Sequence, residues 1–457
     1  MRVSTVGRIA VRSTQVRVPV AARLDRLPVT RFHFILMWVL GFVFFFDMAD
    51  INTLSFASPA IMKFWHVRVT AIALFSSATF AGMFVGSLIG GVISDQIGRK
   101  RALTLTTMFY GSFSLLNAFA WNPASLFVAR LLTGVGISAM TVVGIAYISE
   151  IYPARVRGSF QGWIMMIGLV SIPATAFVAR LCAPMAPWGW RLIFVWGGLG
   201  LLFPFISGAL EESPRWYENK GRFDEADVVV SRIEGRIRAE AGELPAVEDL
   251  PLPVVEEGGN FWDLFSRTHG SRTVILVLTW VCLTMGFFGF TAWVPTLLVA
   301  HGFSLVHSLT WSSTMSLAAI PGAMLAGLFS DKFDRKWTLS GIALLIALCG
   351  AFYGLTFRVD FIIIFGLLVE MFLHTSTPLA YAYTAEAFPS AIRNSGTGLA
   401  YGAGRLANAI GPLLIAFIYT HYGYKSVFAY IAGAWILTAF FVALLGHSSK
   451  ALLERSS

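Results

Sequence analysis

Asp95-Gln96-Ile97-Gly98-Arg99-Lys100 returns in altered form as Asp331-Lys332-Phe333-Asp334-Arg335-Lys336, 236 positions later. A second pair keeps the interval: Glu150-Ile151-Tyr152-Pro153 with Arg157, then Glu386-Ala387-Phe388-Pro389 with Arg393. Two independent matches at one offset mark an internal duplication whose unit is about half the chain. Both motifs lie between long apolar stretches. A duplicated bundle of membrane helices places its ligand site where the two copies meet.

The composition around the repeat is that of a membrane protein. Hydrophobic residues make up 56% of the 457 residues and charged ones 13%, against about 25% charged in soluble domains; mean hydropathy is +0.70. A bilayer span takes about 20 mostly apolar residues. Twelve segments qualify, near 33–57, 70–93, 103–121, 124–147, 159–181, 189–210, 272–299, 308–329, 337–356, 360–384, 395–420 and 424–446. The expected fold is an all-α integral membrane protein of two six-helix halves, 33–210 and 272–446. A basic tail (1–32), a polar linker (211–271) and a short C-tail (447–457) complete the chain.

The net charge of +9 does not point to nucleic acid. Lys and Arg concentrate in the N-tail, the loops after even-numbered spans and the C-tail, and Arg2, Arg8, Arg12, Arg17, Arg23, Arg26 and Arg31 all precede the first span. That asymmetry predicts both termini in the cytoplasm and some attraction to anionic lipid. The Arg-rich, acid-poor start also has the composition of an organelle transit peptide; a basic tail ahead of a span accounts for it as well and is preferred.

Function classes narrow further. No phosphate-binding G-x-x-x-x-G-K-[ST] string occurs, so no ATP-driven module is visible, and no cofactor or enzymatic chemistry is expected. Cys182, Cys282 and Cys349 belong to no metal or redox spacing. The linker opens on Glu211-Glu212-Ser213-Pro214-Arg215. It continues with alternating charge to Glu243, read as a surface helix, and then passes Pro245, Pro251 and Pro253.

The strings SDQIGRKR and SDKFDRKW, with EIYPARVRG and EAFPSAIRN, resemble signatures of the major facilitator superfamily over residues 30–446. RLDRLPVTRFH, FFFDMAD, FGFTAWVPTLLVAHGFS, YAYTAEAFPSAIRNSGTG and GRLANAIGPLL resemble the bacterial metabolite–proton symporters that include niacin and aromatic-acid transporters. The resemblance implies a multi-pass cell-membrane transporter (the inner membrane in a bacterium) that runs on a proton gradient; a monomer is expected, although the sequence itself does not name the oligomeric state. Its partners would be a small molecule, protons and lipid. Gly98 becomes Asp334 in the second copy, which places the tight turn of that loop in question. The sugar-porter string of the seventh span and the exporter motif of the fifth are absent. ESPRW after the sixth span resembles sugar porters and is shared with neighbouring families.

Ionisable residues within spans are costly and mark functional paths. Asp47 and Asp50 lie in the first span, Arg130 in the fourth, Glu370 and His374 in the tenth, and Arg405 in the eleventh. At 1.5 Å per residue, Asp47 lies about 21 Å from the inner end and Arg130 about 9 Å from the outer end, so their depths nearly coincide. A carboxylate–guanidinium pair across these helices is expected, with Asp47 and Asp50 not ranked. Making and breaking that pair would couple proton binding to conformation, unless it is a static packing bridge. Glu370 and His374 share a helix face and either relay a proton or form a plain hydrogen-bonded pair. Arg405, a permanent cation near mid-depth, suits an anionic substrate, or else pairs with Glu370.

Phe46, Phe287, Phe290, Trp293 and Tyr381 are candidates to line a pocket for a flat ring. Asp95, Arg99, Glu150 and Arg157, with Asp331, Arg335, Glu386 and Arg393, form a candidate cytoplasmic gate that holds in one state and dissolves in the other. The reading that unites these residues is proton-coupled import of a small organic anion, an aromatic or heteroaromatic carboxylate. A sugar or polyol carrier of the same superfamily and a transporter-shaped receptor that does not translocate are the alternatives.

Overall fold

The structure is a computed structural model that describes residues 18–247, 260–330, 333–356 and 358–446. Asp331 therefore lies outside the described residues, as do most of the N-tail, the Pro251–Pro253 part of the linker and the C-tail. A short helix α1 (Val20–Asp25) precedes α2 (Arg31–Trp65), α3 (Val69–Ile97), α4 (Arg99–Ala118), α5 (Pro123–Ile151), α6 (Ala154–Cys182) and α7 (Trp190–Ala209). The linker contributes α8 (Pro214–Asn219) and α9 (Phe223–Ala241). The second half holds α10 (Gly270–Thr291), α11 (Val294–Ala300), α12 (Leu305–Phe329), α13 (Arg335–Leu355), α14 (Val359–Glu386), α15 (Ser390–Tyr422) and α16 (Tyr424–Leu444).

Among the described residues, eleven of these helices are long and apolar enough to cross a membrane. The third expected span, 103–121, falls on α4, whose first turn is Arg99-Lys100-Arg101 and whose middle carries Thr104, Thr106 and Thr107. It packs between α5 and α7 like its neighbours. Most expected spans fall short of the helices observed, α2 by eight residues at its C-terminal end, because periodicity fades where a helix leaves the bilayer while its backbone bonds continue.

Local chemistry sets the helix starts. Asn122 caps α5 by accepting from the Ser125 amide at 2.7 Å, with Pro123 at the first helical position. Ser304 does the same for α12 through His307 at 3.2 Å. The two copies of the repeated loop turn differently. Gly98 has φ +99°, and a side chain there would meet the Glu212 carboxylate at 2.5 Å, so only glycine suits it. Asp334 instead has φ −64° and caps α13, accepting from the Lys336 amide at 2.9 Å.

The duplication is legible in three dimensions. Contacts α2–α6, α3–α5 and α4–α7 in the first half recur as α10–α15, α12–α14 and α13–α16 in the second. A Cβ on Gly86 would stand 2.0 Å from the Val135 carbonyl, and one on Gly322 would stand 2.2 Å from that of Met371. Both glycine and carbonyl are displaced by 236 positions, so each half keeps the same close helix crossing. The interval also maps α3 onto α12 and α6 onto α15. The halves meet through α3 with α15 and α6 with α12, the two contacts that exchange of the copies would equate. Ser55 donates to the carbonyls of Thr291 and Ala292 at 3.1 and 2.9 Å, and Arg180 donates to Thr310 at 3.0 Å. These bonds join the halves on the side away from the linker.

Candidate functional site

The charged residues of the first half gather at one depth. Asp50 and Arg130 are buried, and the guanidinium Nη1 stands 3.4 Å from an Asp50 oxygen. The Ser114 hydroxyl donates to the other Asp50 oxygen. Arg130 Nε donates to Thr79 Oγ1 at 3.1 Å, and its guanidinium lies 5.7 Å from the centre of the Phe194 ring. Gly197 leaves room for this arrangement, since a Cβ there would meet Asp50 at 2.5 Å. Every charge in the cluster has a partner, as a buried ion pair requires.

Asp47, one turn earlier on α2, is held differently. It is 2% exposed and accepts a hydrogen bond from the neutral hydroxyl of Thr141 on α5, at 3.2 Å. Across the molecule, Arg405 on α15 is half-buried. Among the described residues it has neither a hydrogen bond nor an ion pair, and it lies one turn after Tyr401, whose ring packs on Tyr381 at 4.7 Å. Among the described residues, then, a carboxylate of one half and a guanidinium of the other each lack a counter-charge in contact.

The alternative pairing of Arg405 with Glu370 does not occur. Glu370 faces His374, whose Nδ1 lies 3.5 Å from the carboxylate and 2.9 Å from the Glu370 carbonyl. A carbonyl oxygen only accepts, so Nδ1 carries the hydrogen of this contact. Phe287 packs edge-on against this imidazole with centroids 5.4 Å apart.

Three of the candidate pocket aromatics are instead core residues. Phe290 and Trp293 are each 1% exposed; Phe290 packs on Tyr353 and Phe428 inside the second half. Phe46 is buried against Trp196 of α7 at 5.5 Å. It neighbours Asp47 in sequence, but adjacent helix positions point about 100° apart, which turns the ring into the α2–α7 seam. Tyr381 is 46% exposed and joins Trp280 and Tyr401 in a triangle of rings with centroids 4.6–4.8 Å apart. Trp280 is oriented by its Nε1, which donates to Thr384 at 2.8 Å. Trp280, Tyr401, Thr141 and Ser114 escaped sequence reading. Uncharged residues inside apolar helices carry no signal of their own, and tertiary contact alone singles them out.

The repeated loops build matching clusters on the linker side. Arg99 pairs with Asp95 and with Glu150, the latter at 2.8 Å; Arg335 pairs with Glu386. Arg157 and Arg393 do not engage these acids. They donate to the carbonyls of Tyr152 and Phe388 at 3.3 Å, because a guanidinium one turn into the next helix reaches the loop backbone first. A cavity of about 930 Å³ lies beside the first cluster, lined by Lys100, Arg101, Glu211, Glu212 and Arg232 among others. It is remote from the mid-depth charges, and its acids are already engaged: Glu211 pairs with Arg232 and Arg236. The candidate site is therefore the set of mid-depth charges rather than this groove.

Comparison with known proteins agrees with this architecture. The family model described as sugar (and other) transporter matches residues 34–451. The chain is 41% identical to the putative metabolite transport protein YyaJ of Bacillus subtilis, covering 94% of this chain and 96% of that one. It is 29% identical to the niacin transporter NiaP of Acinetobacter baylyi, covering 94% and 97%. Among solved structures it resembles the partially occluded inward-open xylose transporter XylE from E. coli, with TM-score 0.71 and 17% identity over 90% of this chain and 97% of that one. The chain, with its duplicated six-helix halves and paired loop clusters, belongs to the sugar (and other) transporter family of the major facilitator superfamily and is a multi-pass membrane transporter of small molecules, not an enzyme.

Proposed function

We propose that this transporter imports a small organic anion, an aromatic or heteroaromatic carboxylate, together with a proton by alternating access. One observation carries the reading: Arg405, a guanidinium that stays charged, stands at mid-depth with no counter-ion in contact. A carboxylate is the ligand that completes it. The exposed Tyr381 ring beside it supplies a flat apolar surface for an attached ring, and similarity to a niacin transporter, niacin being a pyridine carboxylate, fits the same chemistry.

In this reading the halves 33–210 and 272–446 rock about the mid-depth site. The linker side is cytoplasmic, following the excess of Lys and Arg there. The Arg99–Glu150 and Arg335–Glu386 clusters hold that side in one state and release it in the other. Asp47 and the Asp50–Arg130 pair couple the motion to protons; His374 lies beside the path.

Binding of nicotinate and of its neutral amide to the purified wild type and to Arg405→Gln tests the substrate class. A charge-assisted hydrogen bond contributes about 1.5–3 kcal/mol, so the acid should lose about ten- to a hundredfold in affinity and the amide little. Equal losses for acid and amide, or no binding of the acid by the wild type, would replace this reading with a neutral substrate such as a sugar or polyol.

A further inference from the structure

We infer that Lys63, Arg68 and Arg180 form a cationic collar on the face away from the linker, which concentrates an anionic substrate at the seam between the halves before it enters. The inference rests on the proposed anionic substrate and orientation. It goes beyond them by assigning a capture surface outside the mid-depth site.

The two faces differ in how their charges balance. By sequence, the tails, linker and loops on the linker side carry 26 Lys and Arg against 21 Asp and Glu. The opposite face carries Lys63, Arg68, Arg180, Arg191, Arg358 and Lys425 against Asp360 alone. Membrane insertion does not select such an excess there, since Lys and Arg in short loops favour the cytoplasmic side. Helix dipoles account for only part of it. Lys63 and Arg180 suit the last turns of α2 and α6. Arg68 and Arg358, however, stand just before the first residues of α3 and α14, and Arg191 and Lys425 are the second residues of α7 and α16, where a cation is disfavoured. Ion pairing does not explain the collar either. Among the described residues the side chains of Lys63 and Arg68 have neither a hydrogen bond nor an ion pair, and Arg180 is held by the neutral hydroxyl of Thr310.

The three exposed cations lie where the halves meet. Met62, beside Lys63, packs against apolar cores of both halves. Val69, beside Arg68, is buried in the core of the second half. Arg180 donates across the seam to Thr310 of α12 at 3.0 Å, and Leu305 and Leu309 of that helix pack into the first half. The seam is closed at this end in the structure, so the collar lies around the place where an outer cleft opens.

A cleft with low-dielectric walls and charge of one sign focuses its field and raises the local concentration of counter-ions. A monocarboxylate is enriched there and a neutral molecule is not. The field decays over a Debye length, about 10 Å at 0.1 M salt, so it acts on entry and not on reorientation of the loaded carrier. The collar therefore sets KM and leaves kcat alone.

Two measurements on the full-length chain in proteoliposomes decide this, and the first needs no substrate. Val306 is 46% exposed, and its carbonyl accepts at 2.7 Å from Thr310, the residue that Arg180 holds. In Val306→Cys the introduced thiol is labelled from outside with an anionic and a cationic methanethiosulfonate, each rate divided by that on free cysteine and the site read by peptide mass. At low salt in neutral lipid the anionic reagent should react at least about tenfold faster. The ratio should fall toward one in about 0.5 M KCl and on addition of Lys63→Gln and Arg68→Gln. A ratio near one at low salt overturns the inference whatever the substrate proves to be. A preference that vanishes when anionic lipid is added assigns these cations to lipid headgroups and overturns substrate capture. In the second measurement, with nicotinate as probe, Lys63→Gln/Arg68→Gln should raise the KM of uptake about fivefold at low salt with kcat changed less than about twofold, and wild-type KM should rise with salt to meet it. An unchanged KM, or a loss in kcat alone, overturns it. Failure of nicotinate to bind counts against the anionic substrate class and leaves the labelling ratio to judge the collar.

Discussion

Arg130 and Asp50 meet at 3.4 Å with both side chains almost wholly buried, in a first half whose mirror positions in the second half are uncharged. The positions 236 residues on are Gly366 and Gly286, and their space is filled by Met315 and Trp435: a Cβ would meet them at 1.8 and 2.4 Å. The duplication preserved helix packing and let the charged pair persist in one copy alone. The acid and base of this pair are not equivalent. Asp50→Asn leaves a guanidinium that cannot shed its charge, whereas Arg130→Gln leaves an acid that can take up a proton. Asp50→Asn should therefore cost more stability, about 3–5 kcal/mol, and Arg130→Gln should recover stability as pH falls. Melting curves of both variants in detergent from pH 5 to 8 check this; an equal or larger loss in Arg130→Gln at pH 5 contradicts it.

The linker-side cluster offers a graded test. The Asp95 side chain is 66% exposed, whereas Glu150 is 15% exposed where it meets Arg99. Exposed pairs contribute about 0–1 kcal/mol, while removing one partner of a buried pair costs several times more. Asp95→Ala should slow interconversion modestly and Glu150→Gln strongly, both with less than about a twofold change in substrate affinity at equilibrium, since the cluster is far from mid-depth. Counterflow rates beside equilibrium binding separate the two effects. A large affinity loss with normal turnover would show that the cluster belongs to the binding site.

Outside the bilayer, Glu234 of α9 clamps the N-terminal segment. Arg23 reaches it at 3.1 and 2.7 Å and Arg26 at 2.7 Å, while Leu24 and Leu27 bury beneath. Burial pushes the Glu234 carboxyl up, but Arg23 and then Arg26 outweigh it and hold the group below the usual carboxylate range. A depressed folded value means that the clamp's contribution is present above the ordinary carboxylate range and lost as pH falls through the folded value. The clamp should stay closed at pH 7 and at pH 5 and open only at a pH below the ordinary carboxylate range. Glu234→Gln should raise hydrogen exchange of amides 20–27 about tenfold at pH 7. Unchanged exchange in that variant would assign the segment's order to Leu24 and Leu27 alone.

The close crossings provide a test of the duplication as packing. Gly86→Ala and Gly322→Ala each drive a methyl into a backbone carbonyl, which cannot rotate away. Each should cost about 1–3 kcal/mol, whereas Gly91→Ala, with nothing within 4 Å of its would-be Cβ, should be neutral. Thermal unfolding of the three variants measures this; a silent Gly86→Ala would mean that α3 and α5 separate easily.

How far a sequence speaks for itself depends on the range of the interaction. Apolar runs of about 20 residues are dictated by the bilayer, and the 236-residue repeat is a property of the string. Spans, halves and the presence of mid-depth charge were therefore legible without coordinates. So was the departure at Gly98 and Asp334, because φ preference is local. Partner choice was not. Asp47 and Asp50 are one turn apart on one face, and nothing in the string says that Arg130 takes the second and leaves the first to the Thr141 hydroxyl. Nor does it say that Phe46, Phe290 and Trp293 turn into seams while Trp280 and Tyr401 gather beside Tyr381. A helix periodicity sets which residues share a face; which neighbour that face meets is set by how twelve such faces pack at once, and only the tertiary structure holds that answer.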